Sequence, residues 1–295
     1  MGVEYREEPC RSALNRVKGM GFEWSLNPYM GCAHRCTFCY VRHFEQRAVR
    51  PSDDRYGRSL RVKSNVAEVL RSELARPSWR REEVVVGAAT DPYQPAEGRF
   101  RLTRLCLAEL SAAWTPFSII TRGPLVVRDI DVLLEATARS GASVAVSLPT
   151  FDERVWRTTE PGTAPPRSRL EAVRRLAAAG IDVGVAVAPI LPGLSDRPEL
   201  LEEVVRRARS AGARSIWASV VHLRPGVREH FLTALARDWP EELDRYEELF
   251  AGRAYIAGAA ARAITEPVRR AASATRTRPR TRRARSDPPQ LALSI

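Results

Sequence analysis

The sequence predicts an α/β protein: an incomplete barrel of six parallel strands alternating with helices, followed by C-terminal helices and a disordered basic tail. Three observations predict it. Short β-branched runs alternate with stretches whose apolar residues recur at helical spacing, the pattern of a parallel sheet covered by helices. Six such units can be counted, not the eight of a closed barrel. No G-x-G-x-x-G follows any of the strands, which removes a dinucleotide-binding doubly wound sheet.

The elements follow in order. A first strand is expected at about Glu23 to Met30, leading into "GCAHRCTFCYVR". "EVVVGAATD" (83–91) is the second, a Val-rich run ending in small residues, and "RLTRLCLAELSAAW" (101–114) is its helix. "PFSIITRG" (116–123) precedes "RDIDVLLEATARSG" (128–141), whose closing Gly suits a helix C-cap. "ASVAVSLPT" (142–150) leads to "RSRLEAVRRLAAAG" (167–180), where Leu170, Val173, Leu176 and Ala177 mark a buried stripe. "DVGVAVAPILPG" (182–193) pairs with "ELLEEVVRRARSAG" (199–212), and "RSIWASVVHL" (214–223) is the last strand. "REHFLTALARDWPEELDRYEELFAG" reads as two helices packing after the barrel. The division is 1–21 as an N-terminal extension, 22–225 as the barrel, 226–265 as C-terminal helices and 266–295 as the Arg-rich tail. Ligands of such sheets bind at the strands' C-terminal ends. The segments that face them are therefore Gly31 to Cys39, Ala89 to Pro95, Thr121 to Gly123, Ser147 to Thr150, Pro189 to Gly193 and His222 to Pro225.

At 295 residues, 44% hydrophobic and 28% charged, the chain is globular and long enough for a large core. No run reaches the ~18 apolar residues of a membrane span, and the N-terminus has no apolar signal region. A cytoplasmic monomer without a membrane partner is expected. From Pro267 onward, eight arginines against a single acid, Asp287, carry +7 of the net +12. This tail is either a solvated appendage or an arm that binds nucleic acid by counterion release.

Three of the five cysteines, Cys32, Cys36 and Cys39, fall within eight residues. An odd count clustered in this way is no secreted disulfide framework, and a C-x-x-C redox pair would leave Cys32 without a task. Metal or cluster binding remains. Structural zinc takes four ligands, usually as two pairs, and no second pair appears downstream; His34 and His43 could complete such a site. A bacterial ferredoxin would continue to a nearby fourth Cys, whereas the next thiol here is Cys106, on a helix. A cubane held by three thiolates keeps one iron open to an exogenous ligand, which favours chemistry at the cluster over passive electron transfer.

The spacing C-x3-C-x-aromatic-C of Cys32, Cys36, Phe38 and Cys39 after a first strand resembles the signature of the radical S-adenosylmethionine (radical SAM) superfamily. The resemblance implies a partial (β/α)6 TIM-like barrel, a [4Fe-4S] cluster on the three cysteines, and SAM chelating the fourth iron through its amino and carboxylate groups. It implies reductive cleavage of SAM to a 5′-deoxyadenosyl radical that abstracts hydrogen from a substrate, fed by a low-potential donor such as flavodoxin or ferredoxin. "NPYMGCAHRCTFCYVR", "VGAATDPYQPAEG" and "ITRGPLVVRDIDVL" are similar to the narrower group related to spore photoproduct lyase and called DNA repair photolyase-like. By that likeness Thr90 and Asp91 face the amino and carboxylate end of SAM, Arg122 pairs with its carboxylate, Ser147 contacts the ribose or methionine portion, and Pro189 and Ile190 lie against the adenine. Two positions depart from the lyase. Its hydrogen-donating Cys corresponds to Ala88 and its Tyr before the third cluster cysteine to Phe38, while Tyr40 is kept. A photoproduct lyase, or a non-catalytic Fe–S or zinc protein with a nucleic-acid-binding tail, is therefore the alternative to a radical SAM enzyme of another substrate. Elsewhere, Glu160 reads as a solvated loop acid, His222 as structural or active-site in equal measure, and Cys10 and Cys106 as plain thiols.

Overall fold

The computed structural model describes residues 2–47 and 50–274. The chain opens with strands β1 (Glu4–Glu8), β2 (Leu14–Arg16), β3 (Trp24–Leu26) and β4 (Tyr29–Met30), then helix α1 (Val41–Arg47), β5 (Ser59–Lys63) and α2 (Val66–Leu74). Next come β6 (Val84–Val86), α3 (Pro95–Phe100), α4 (Leu102–Ala112), β7 (Phe117–Thr121), α5 (Ile130–Arg139), β8 (Ala142–Ser147), α6 (Glu153–Thr159) and α7 (Pro166–Ala178). The remainder is β9 (Asp182–Ile190), α8 (Pro198–Ser210), β10 (Ser215–Val220), α9 (Val227–Asp238), α10 (Leu243–Phe250) and α11 (Gly258–Ala274).

The main sheet has the order β10-β9-β8-β7-β6-β3-β2. Its strands from β3 to β10 are parallel neighbours in sequence order, and β2 adds antiparallel at the edge. Because β10 and β2 are the two ends and do not pair, the barrel is partial, as expected. The expected first strand divides in two. Pro28 has no N–H to give to a ladder, so the main-sheet strand stops at Leu26 and Tyr29–Met30 turn away to pair with β5 in a second sheet of order β1-β5-β4. The N-terminal extension thus supplies an edge strand to each sheet.

The core lies between the sheet and its helices. Leu201, Val204, Val205 and Ala208 of α8 are buried at helical spacing, as are Ala172, Val173 and Leu176 of α7. A second cluster forms over the strands' C-terminal ends, where Phe231, Leu235, Trp239, Tyr246 and Phe250 of the C-terminal helical segment meet Cys36, Phe38, Leu191 and Leu223. The C-terminal helices therefore pack directly on the cysteine segment. One boundary is corrected: residues 266–274, expected in the disordered tail, continue α11, whose Val268 and Ala272 are buried. The rest of the expected tail, 275–295, lies outside the described residues. Among the described residues no helix is long and apolar enough to cross a membrane.

Candidate active site

The cysteine segment leaves β4 through Gly31, whose φ of 83° suits a residue without Cβ, and runs to the start of α1. Three groups of contacts hold it. On one side Gln94, fully buried, accepts from Ala33 N (2.8 Å) and donates to Gly31 O (3.2 Å), so one side chain grips the backbone on both flanks of Cys32. On the opposite side the α6–α7 connection presses in: Thr37 N donates to Thr159 O (2.9 Å), Gly162 N donates to His34 O (3.0 Å), and a Cβ on Gly162 would run into Ala33 O. Below, Gly57 passes equally close to Cys32 O, Tyr56 OH lies 3.3 Å from Cys39 Sγ, and the buried Arg42 donates to Ser52 O (2.6 Å) and Asp53 O (2.8 Å). The loop is ordered by the protein itself.

The strand-end residues named from sequence meet around this loop. Thr90 donates to Gly31 O (2.6 Å) and accepts from Gln94 Nε2 (2.9 Å). Asp91 accepts from Thr121 Oγ1 (2.6 Å) and Tyr93 N (2.9 Å) on one oxygen and from Arg122 N (2.6 Å) on the other, which also sits 3.3 Å from His34 Nδ1. Thr90 and Asp91 line the cavity, but their polar atoms are occupied in joining β6, β7 and the cysteine loop. Arg122 donates through Nε to Glu160 (2.6 Å) and through Nη2 to Ala188 O (3.2 Å), with its guanidinium 5.6 Å over the Phe38 ring. Ser147 and Pro189 also line the cavity. Ile190 does not: it is fully buried in the core, because side chains alternate along β9 and Pro189 takes the inward place. Glu160 is not a solvated loop acid; it is 1% exposed and ion-paired to Arg122 and Arg169.

Burial would push the Asp91 carboxyl up, but His34, Thr121 and the Arg122 amide outweigh it and hold the group at about 2. A folded pKa below the unfolded value means stability that is present above about pH 4 and lost as pH falls towards 2. Asp91→Asn is expected to reduce the acid-limb loss of stability by about 2 kcal/mol, read by urea unfolding at pH 5 and pH 2.5; an unchanged pH dependence would contradict this charge network.

The three cysteines, Arg122, Ser147 and Pro189 share one cavity of about 340 Å³ at the C-terminal ends of the parallel strands. Burial raises the Cys32 thiol well above the ordinary range and pushes Cys36 to about 12, so ligation must be coupled to proton release. Among the described residues no three His, Cys, Asp or Glu side chains converge to hold a single ion. Neither His34, beside Asp91, nor His43, whose Nδ1 is 3.0 Å from Pro225 O, belongs to such a group. A cubane asks for less convergence, since each of three irons takes one thiolate. Three free cysteines on one ordered loop fit that donor set. The mouth is aromatic: His222 stacks on Tyr255 (5.4 Å) and leans on Tyr40 (5.8 Å), while Trp217, Phe44 and Met20 are exposed along the rim. Burial and then Arg224 lower the His222 pKa. Cys106 is buried in the core and Cys10 is half-buried. Sequence reading does not reveal Gln94, Gly162 and Tyr56, which act on the loop across a turn or a crossover, nor Arg169, which holds Glu160 and the Ser147 carbonyl.

The chain is similar to several known proteins. An uncharacterised protein of Mycobacterium tuberculosis is 42% identical over 259 residues, which cover 86% of this chain and 76% of that protein. An uncharacterised protein of Acidianus two-tailed virus is 30% identical over 244 residues, covering 77% and 78% respectively. Spore photoproduct lyase complexed with a dinucleoside spore photoproduct aligns with a TM-score of 0.67 at 16% identity, over 92% of this chain and 79% of that one, which shows a common fold. The family model described as the radical SAM superfamily matches residues 26–208, from the end of β3 to α8. With three cysteines at the superfamily's spacing on the loop that opens a partial barrel, the chain belongs to the radical SAM superfamily.

Proposed function

We propose that this protein holds a [4Fe-4S] cluster on Cys32, Cys36 and Cys39, binds SAM at the open iron and cleaves it reductively for hydrogen abstraction from a substrate. One observation carries the reading: the three cysteines line a single cavity at the strands' C-terminal ends, on a loop already fixed by Gln94, Gly162 and Gly57. When bound, the cluster and SAM supply the electron and the carbon radical; the chain's own residues bind, orient and exclude water. Arg122, with guanidinium N–H groups left over beyond its Glu160 and Ala188 bonds, is the cation available to the SAM carboxylate. Ser147 and Pro189 line the space for the rest of the cofactor, whereas Thr90 and Asp91 shape the pocket wall and Ile190 stiffens β9 from behind. A low-potential one-electron donor of the flavodoxin or ferredoxin kind would reduce the cluster. Ala88 and Phe38 both line the cavity, so a photoproduct substrate would meet neither the thiol nor the phenol of the lyase relatives; this favours another substrate. The test is anaerobic reconstitution with iron and sulfide, then dithionite and SAM. About four iron and four sulfide per chain and release of 5′-deoxyadenosine are expected; a protein that takes up zinc alone, or that loads the cluster and leaves SAM intact, would refute the proposal.

A further inference from the structure

A carboxylate with almost no exposure, between two guanidiniums and beneath a candidate cluster ligand, has no part in the chemistry so far. Glu160 Oε1 accepts from Arg122 Nε (2.6 Å) and Arg169 Nη1 (3.3 Å), and Oε2 is 3.0 Å from Arg169 Nη2. Arg169 is itself fully buried and spends its other donors on Ser147 O (3.1 Å), Ala164 O (2.8 Å) and Thr163 Oγ1. It is saturated, which makes it the anchor. Arg122 is different: it lines the cavity, keeps Nη1 without a hydrogen bond among the described residues, and rests over Phe38. Cys36 lies within electrostatic reach of all three groups. The acid rides on the same α6–α7 connection that grips the cysteine loop through Gly162.

We propose that Glu160 is a positioning residue that, anchored by Arg169, aims Arg122 into the cavity and sets the local charge beneath Cys36, thereby tuning both the cluster's reduction potential and the affinity for SAM. The inference rests on the cluster reading above. The Arg122 and Arg169 guanidiniums face the Glu160 carboxylate, and the Asp91 carboxylate acts on Arg122 and Cys32 as well, in a site shielded from water where each charge acts more strongly than at the surface. An added electron is stabilised by each cation and opposed by each carboxylate. Removing the carboxylate makes reduction easier and removing the Arg122 cation makes it harder, so the two variants move the potential in opposite directions. Loss of packing alone would not produce that pair of signs. Arg122 also offers a preset fork for a carboxylate, and a freed Arg122 would lose that orientation.

The experiment uses full-length wild type, Glu160→Gln and Arg122→Gln, each reconstituted anaerobically. Midpoint potential is read by redox titration of the reduced cluster's EPR signal, and SAM binding by equilibrium dialysis. In Glu160→Gln the reduction equilibrium should shift about tenfold towards the reduced form, about 59 mV for one electron, and in Arg122→Gln by a similar factor the other way. SAM should bind about tenfold more weakly to Arg122→Gln, and more weakly than wild type to Glu160→Gln. If Glu160→Gln does not fold, because Arg169 is left buried without its counter-charge, Glu160→Asp decides: it keeps the charge but not the reach to Arg122 Nε, so its midpoint should stay near wild type while SAM binds more weakly, and a SAM affinity equal to wild type overturns the proposal. In the two Gln variants, midpoints equal to wild type, or shifted with the same sign in both, overturn the proposal while the cluster reading stands. A wild type that loads no cluster overturns both.

Discussion

Cys36→Ala is expected to yield a folded protein that no longer holds a complete cluster and releases 5′-deoxyadenosine at least 100-fold more slowly than wild type, effectively at background. The loss should exceed the ~10–100-fold that follows removal of an outer-shell partner of a metal site, because the deleted atom is itself a ligand. The fold should survive. Cys36 is small, its neighbours in the upper cluster are Phe38, Leu191 and the C-terminal aromatics, and Ala keeps most of its volume. Its thiol is also protonated in the free protein, being pushed to about 12 by burial, so no charge pair is broken. Iron and sulfide analysis with chromatography of the nucleoside product reads the result. Cys10→Ala, outside the cavity, is the control and should cleave SAM as wild type does. Full cleavage by Cys36→Ala would remove Cys36 from the ligand assignment.

Much of this was legible in the chain because both signals are local. Strand and helix periods mark the strands from Val84–Val86 to β10 and the helices α4, α5, α7, α8, α9 and α10, though not the short α3 and α6, and cysteine spacing marks the loop. What local pattern could not carry is pairing across the fold. Glu160 looked like a solvent-facing acid because its partners lie 38 and 9 residues away, on β7's end and inside α7. Thr90 and Asp91 are legible by position at a strand end, yet the direction of their polar atoms depends on Gly31 and on the Thr121–Arg122 end of β7, two segments far away in sequence. Pro189 and Ile190 are adjacent in sequence, and the strand's period of two sends them to opposite faces. The tail boundary was set from composition, which sees the arginines at 269 and 270 but not the stripe of Ile264, Val268 and Ala272 that holds α11 onto the core.

Gln94→Leu is the second large effect expected, and it separates an ordered loop from a merely correct set of ligands. Leucine matches glutamine in size, so the cavity term is small. The cost is polar. Ala33 N loses its acceptor inside the protein, about 1–3 kcal/mol, and the two bonds from Nε2 to Gly31 O and Thr90 Oγ1 go with it at about 1 kcal/mol each. Gly31 O keeps the Thr90 hydroxyl, so the loop is loosened more than it is lost. A fall in stability of about 3–5 kcal/mol in urea unfolding should accompany incomplete cluster loading and a 10–100-fold drop in SAM cleavage, the range expected when a supporting group is removed from a metal site. Gln94→Glu should be at least as costly as Leu, since it buries an unpaired carboxylate and sets an acceptor oxygen against Gly31 O where the amide donated. Wild-type loading and cleavage in Gln94→Leu would mean that the cluster orders the loop on arrival, and that the contacts around Cys32 in the free protein are without functional consequence.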